Sequence, residues 1–215
     1  MSKVTLMWAT PQADTLVASM ARVSNPENQA NPSITGLLNY MMREGHVSPF
    51  EMANVCLEIE TTRDIGRQIL RHRSFSFQEF SQRYASTEVL PVAPLRECRV
   101  QDPTNRQSSI PVYPADNKAL LWDALQEDLL GLATRHYQTA LSCGIAKEQA
   151  RALLPEGLTT SRMYMNGTLR SWIHYLQSRL DPSTQKEHRI LAQQALTILR
   201  GVAPVTMEAF FPTEK

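Results

Sequence analysis

Between residues 54 and 60 apolar Val55, Leu57 and Ile59 alternate with Asn54, Cys56, Glu58 and Glu60, the two-residue period of a strand with one face in a core. "VTLMWA" (4–9) and "TTSRMYMNG" (159–167) read as two further strands. Helical spacing governs most of the rest. "DTLVASMARVS" predicts one helix. "NPSITGLLNYMMREG" predicts a second, with Asn31 as N-cap, Pro32 in the first helical position, Ile34, Leu37, Leu38 and Met41 on one face and Gly45 as the stop. From Thr62 the spacing of Ile65, Ile69 and Leu70 suits a short helix. The long segment closed by Gly144, "AKEQARALLP", "TLRSWIHYLQSRL" and "STQKEHRILAQQALTILRG" complete the helices. In the last of these Thr184 and Glu187 are spaced as a capping box. Residues 88–114, rich in proline and polar side chains, predict an irregular connection with an extended piece. Strands interleaved with helices in 215 residues indicate one mixed α/β or α+β domain spanning 1–215.

One segment resists a purely structural reading. In "RQILRHRSFSFQEFSQRY" (67–84) and its approach, five arginines at 63, 67, 71, 73 and 83 face only Asp64 and Glu79. Arg63, Arg67 and Arg71 recur every four residues, which predicts a cationic stripe on one helix face. Guanidinium groups are permanently charged and planar, so a local excess of three charges asks for an external anion. The whole chain has 22 Lys and Arg against 21 Asp and Glu, so the field is local and a general nucleic-acid coat is not expected. Three widely spaced cysteines, Cys56, Cys98 and Cys143, fit a reducing cytoplasm. The N-terminus has no long apolar core and no run approaches a membrane span. The five histidines do not pair with cysteines or one another at zinc-ligand spacing, so no metal is expected.

Arg71, His72 and Arg73, followed after seven residues by Ser81, resemble the signature of the flavin-dependent thymidylate synthases. "ARVS" (21–24), "GHVSPFE" (45–51), "RQILRHR" (67–73), "ARALLP" (150–155), "NGTLRSW" (166–172) and "LQSRL" with "TQKE" behind it are similar to segments of that family, in its order. The resemblance implies a central, largely antiparallel sheet flanked by helices. It also implies reductive methylation of dUMP to dTMP, with methylenetetrahydrofolate as carbon donor and FAD, reduced by NADPH, as hydride carrier, in a homotetramer with shared active sites. Without a G-x-G-x-x-G, the flavin is expected to be held by side chains.

Carried over by position, His72 and Arg73 resemble flavin contacts, and Ser24, His46, Glu51, Thr168, Arg170 and His174 fall where the flavin pocket is lined. Gln68, Arg71, Glu79, Ser81, Gln82, Arg83, Arg151 and Arg179 resemble the dUMP-binding set. Arg179 corresponds to the arginine beside the uracil ring, where a fixed cation stabilises developing enolate charge. Ser81 is read as a hydrogen-bonding group rather than a nucleophile, since no partner base is evident near it in sequence. Arg67, Gln68, Arg71 and Glu79 to Arg83 cannot all face one ligand from a single short helix and loop, so more than one protomer is expected to build a site.

Judged singly, several of these residues have plainer roles. His46 could cap the helix that Gly45 stops, His174 could pack or sit at an interface, and Arg170 and Arg179 could be ordinary ion-pair partners. Phe75, Phe77, Met163 and Met165 read as core, and His136 and His188 as surface residues. The chain also departs from the family pattern, with Met52 in place of a frequent histidine, Gln82 in place of glycine and Thr168 in place of asparagine. A different class, a single-stranded nucleic-acid binding module, would use the arginine stripe for phosphates and Phe75, Phe77 and Tyr84 for base stacking.

Overall fold

The computed structural model describes residues 2–213; Met1, Glu214 and Lys215 of the expected 1–215 domain lie outside the described residues. The strands are β1 (Lys3–Ala9), β2 (Asn54–Thr62), β3 (Ser76–Glu79), β4 (Arg99–Gln101), β5 (Ser109–Pro111) and β6 (Thr160–Thr168). The α-helices are α1 (Ala13–Ala21), α2 (Thr35–Arg43), α3 (Arg63–Ile69), α4 (Asn117–Ser142), α5 (Lys147–Ala150), α6 (Leu169–Arg179), α7 (Lys186–Val202) and α8 (Pro204–Phe210). Four strands form an antiparallel sheet in the order β1-β2-β6-β3, and β4 and β5 form a separate hairpin within the connection read as irregular.

The alternation of β2 is realised as predicted. Val55, Leu57 and Ile59 are buried opposite Gly167, Met165 and Met163 of β6, and Phe77 of β3 lies opposite Met165. Helices α1, α2, α6, α7 and α8 cover that face, with Trp172 and Tyr175 of α6 among its largest buried side chains. The Trp172 indole N–H donates to the Val55 carbonyl at 3.1 Å, so the one polar atom of that ring is satisfied inside the core.

Three element boundaries depart from the expectations. Helix α2 starts at Thr35, because Asn31 uses its side chain on the Ser33 amide (2.8 Å) and the Asn28 carboxamide (2.7 Å), and Arg22 grips the Asn31 and Ser33 carbonyls. The capping box of α7 does not form: the Thr184 hydroxyl donates to Ser178 O, and Glu187 is engaged by Gln185 and Arg99. "AKEQARALLP" yields only the single turn α5 and a 3₁₀ turn, Arg151–Leu153. Helix α8 has no counterpart in the sequence reading. It begins at Pro204, and the buried Asp14 carboxylate accepts from the Val205 and Thr206 amides at 2.8 and 3.1 Å, serving as its N-terminal cap from the far end of the chain.

Candidate active site

The segment that carries the arginines leaves the sheet at the end of β2, runs through α3, and turns at Arg71–Ser74 before entering β3. That turn is strapped along α6 at both ends. Ser171, near the start of α6, donates to the Ser74 carbonyl at 3.1 Å, and Arg179, its last residue, donates from Nε to His72 Nε2 at 2.9 Å. His72 therefore acts as an acceptor. Burial, then the neighbouring Arg179 and Arg71 charges, push its pKa from 6.5 down to about 4, so the ring is neutral at physiological pH.

The positive excess is smaller in space than in sequence. Arg67 pairs with Glu156 at 3.0 Å, Arg83 with Glu148 at 3.3 Å, and the buried Arg63 lies 3.7 Å from Glu79. Acidic residues from distant segments thus interrupt the predicted stripe. Arg71 and Arg73, both exposed, have no acidic partner among the described residues. They flank His72 on a turn held by α6, a pair of planar cations of the kind that suits a phosphate or pyrophosphate. The stacking platform of a nucleic-acid module is absent at Phe75, which is buried and edge-on to Trp172 at 4.8 Å, and Phe77 packs against the same core.

At the start of α6, Glu51 accepts from Arg170 at 2.7 Å and from the Thr168 hydroxyl at 3.2 Å, and Thr168 caps the helix through the Ser171 amide. Four of the expected flavin-side positions, Glu51, Thr168, Arg170 and His72, therefore lie along one helix. His174, one turn after Arg170, is exposed. Ser24 and His46 stand apart, with no side-chain hydrogen bond to the others among the described residues. The His46 backbone caps α2: its amide donates to Met41 O at 2.8 Å and that of Gly45, at φ 69°, to Met42 O. Its exposed imidazole stands T-shaped to the Tyr40 ring, at 5.9 Å between centroids. The capping role and a free imidazole coexist.

The second half of the motif lies beyond β3. Glu79 accepts from Ser161 at 2.8 Å, and Ser81 Oγ accepts the Arg83 amide at 3.4 Å, with no histidine bonded to it among the described residues. Lys147 of α5 holds the Tyr84 carbonyl at 3.1 Å. Gln82 is 3% exposed with its Nε2 unpartnered, and its φ is not positive, so the backbone does not require the family's glycine there. Arg151 is half-buried in the turn after α5. Gln68, Arg71, His72, Arg73 and Arg179 are thus brought together at the end of α3, whereas Glu79 binds Arg63 at that helix's start and Ser81–Arg83 and Arg151 belong to a separate group.

Sequence reading missed the floor of the site. His188, expected at the surface, is 0% exposed and bonds Gln68 and Tyr175, both at 3.2 Å. The signal was its spacing: His188, Leu191, Ala192, Ala195 and Leu199 form the buried face of α7, which places the histidine at a core position.

Residues 5–205 match the family model described as thymidylate synthase complementing protein. The chain is 49% identical over 181 residues to a probable flavin-dependent thymidylate synthase of Paramecium bursaria Chlorella virus 1, covering 84% of this chain and 82% of that one. It is 48% identical over 195 residues to the flavin-dependent thymidylate synthase of Synechocystis sp., covering 90% and 87%. Among solved structures, the UMP/dUMP methylase PolB of Streptomyces cacaoi, crystallised with 5-Br dUMP, superposes with a TM-score of 0.83 at 29% identity, over 98% of this chain and 94% of PolB. With the fold, the strapped Arg71-His72-Arg73 turn and these relatives in agreement, the chain belongs to the flavin-dependent thymidylate synthases, a family of flavoprotein methyltransferases.

Proposed function

We propose that the chain methylates dUMP to dTMP, taking the carbon from methylenetetrahydrofolate and using FAD, reduced by NADPH, as hydride carrier. The observation that carries this reading is the His72 turn: two guanidinium groups with no acidic partner among the described residues, beside a neutral histidine to which Arg179 donates. Arg71 and Arg73 offer charge-assisted donors to the phosphate of dUMP and the pyrophosphate of FAD. Glu51, Thr168 and Arg170, already hydrogen-bonded to one another, supply a polar edge for the same cofactor, with His46, Ser24 and His174 completing its surroundings. Bound there, the flavin supplies the hydride.

The remaining chemistry belongs to side chains. Arg179 uses Nε on His72, and its terminal Nη groups, unbonded among the described residues, are left to stabilise negative charge on a pyrimidine carbonyl. Gln68, Glu79, Ser81, Gln82, Arg83 and Arg151 orient the nucleotide, Ser81 by hydrogen bonding. Since one chain divides these residues into separate groups, we place each complete site between protomers of a homotetramer, with the whole 215-residue chain acting as one unit. The three free cysteines agree with a cytoplasmic location. No described helix is long and apolar enough to cross a membrane.

The test is the purified protein's absorption spectrum followed by assay of dTMP with dUMP, methylenetetrahydrofolate and NADPH. A yellow protein that forms dTMP only with all three supports the reading. A colourless protein that binds single-stranded DNA with steep salt dependence overturns it.

A further inference from the structure

Behind Gln68 a chain of side chains runs through the floor of the site, and the valence of its members fixes the direction of every hydrogen bond. At one end Glu187 accepts from Arg99 at 2.5 Å and from Gln185 Nε2 at 3.0 Å. Burial works against this carboxylate, yet its own backbone N–H, Arg99 and Gln185 together keep its pKa below the ordinary value, so it is an acceptor only. With its amide nitrogen on Glu187, Gln185 presents its carbonyl, which accepts from Gln68 Nε2 at 2.7 Å. Gln68 therefore turns its own carbonyl oxygen to His188 Nδ1, 3.2 Å away, which must carry the proton. The opposite ring nitrogen, Nε2, is left as acceptor for the Tyr175 hydroxyl at 3.2 Å.

Two further observations agree with that order. His188 is fully buried, and burial, Arg179 and His72 push its pKa down to about 3, so it is neutral and has one proton to place. Burial raises the Tyr175 pKa, keeping its hydroxyl protonated and able to donate. Gln68 itself is only half-buried, three and four residues ahead of Arg71 and His72. One of its two amide hydrogens is committed to Gln185, and the other is available.

We propose that His188 is a positioning residue for the substrate site: its Nδ1–H holds the Gln68 carbonyl, so that Gln68 turns an amide N–H, and not a carbonyl, toward an acceptor atom of the bound nucleotide. This rests on the reading of Gln68 as a dUMP contact. Without His188 the Gln68 carbonyl loses its donor and the amide is held from the Gln185 side alone.

The experiment titrates dUMP into the flavin-loaded protein, followed by flavin absorbance and calorimetry, for wild type, His188→Leu, His188→Gln and His188→Asn. Asparagine places an amide N–H near the position of Nδ1, whereas glutamine reaches toward Nε2. His188→Leu and His188→Gln are expected to bind dUMP about tenfold more weakly, the effect of one displaced hydrogen bond, and His188→Asn within about threefold of wild type. Flavin content and turnover at saturating dUMP should be little changed in all three. Nitrogen chemical shifts of the wild-type imidazole should place the His188 proton on Nδ1. Equal dUMP affinity in all four proteins, equal losses in the asparagine and leucine variants, or a proton on Nε2 would each overturn the inference. A wild type that takes up flavin but binds no dUMP removes the nucleotide reading and this inference together, while unaltered variants of a dUMP-binding wild type remove this inference alone.

Discussion

Among the described residues Arg179 bonds a neutral histidine and no carboxylate, which leaves its charge uncancelled by them at the end of α6. That residue and Ser81 should separate sharply on substitution. Among the described residues Ser81 Oγ bonds the Arg83 amide and no general base, so Ser81→Ala is expected to retain dTMP synthesis, with dUMP binding weaker by about tenfold, the scale of one hydrogen bond. Arg179→Ala removes the donor to His72 and the charge we propose for the reacting ring, and should be the more damaging change; dTMP formed at saturating dUMP by each flavin-loaded variant compares them. The histidines also set a pH dependence. His72 and His188 have folded pKa values near 4 and 3, below the ordinary 6.5. The unfolded chain therefore binds protons that the folded chain refuses; their stabilisation is complete above pH 6.5 and lost as pH falls through that window. The urea midpoint should drop between pH 7.5 and 5, less so in His188→Leu. A midpoint that rises on acidification contradicts these assignments.

The helices and strands show where local sequence suffices. Val55, Leu57 and Ile59 alternate because β2 has one face in the core, and the pattern alone located it. Helix α8 was not legible, since its cap is the carboxylate of Asp14, more than 190 residues away in sequence. The local positive excess was overestimated for a related reason: Glu148 and Glu156, which pair with Arg83 and Arg67, come from α5 and the chain that follows it. Two glycines inside elements, Gly167 of β6 and Gly66 of α3, carry their own prediction. A Cβ at Gly167 would fall 2.6 Å from Phe75 Cε1 and closer still to Cδ1, against a ring held by Trp172. Gly167→Ala should therefore cost about 1 to 3 kcal/mol through overpacking and displace the Arg71–Ser74 turn that precedes Phe75. At Gly66 the obstacle is the flexible Met163 Cε at 2.9 Å, and Gly66→Ala should be nearly neutral, because helix propensity recovers up to about 1 kcal/mol. Thermal unfolding of the two variants distinguishes them; an unchanged Gly167→Ala melting temperature contradicts the packing described.

At the scale of the molecule, α4 is the element that a single chain does not explain. It packs through a narrow seam of Ala119, Gln126, Ala133, Tyr137 and Ala140, while Leu121, Leu125 and Leu129 are 61%, 56% and 47% exposed. Exposed leucines recurring every four residues form an apolar face that a protomer contact would bury, in line with the proposed tetramer. Leu125→Asp combined with Leu129→Asp should shift sedimentation toward smaller species and lower activity with them; an intact tetramer would exempt this face. The division of Gln68–Arg73 from Ser81–Arg83 and Arg151 is the other feature in line with the proposed shared site, and here the motifs were legible while the way His188 and Tyr175 support Gln68 was not, because those hydrogen bonds join segments remote in sequence. The account's central claim, that this site methylates dUMP with a hydride carried on its own flavin, is tested most directly by one anaerobic turnover. Protein whose flavin has been reduced and freed of excess reductant is mixed with methylenetetrahydrofolate and dUMP, and dTMP is counted against flavin reoxidised. The prediction is one dTMP for each flavin oxidised, and none without dUMP; flavin that stays reduced, or reoxidises without forming dTMP, would contradict it.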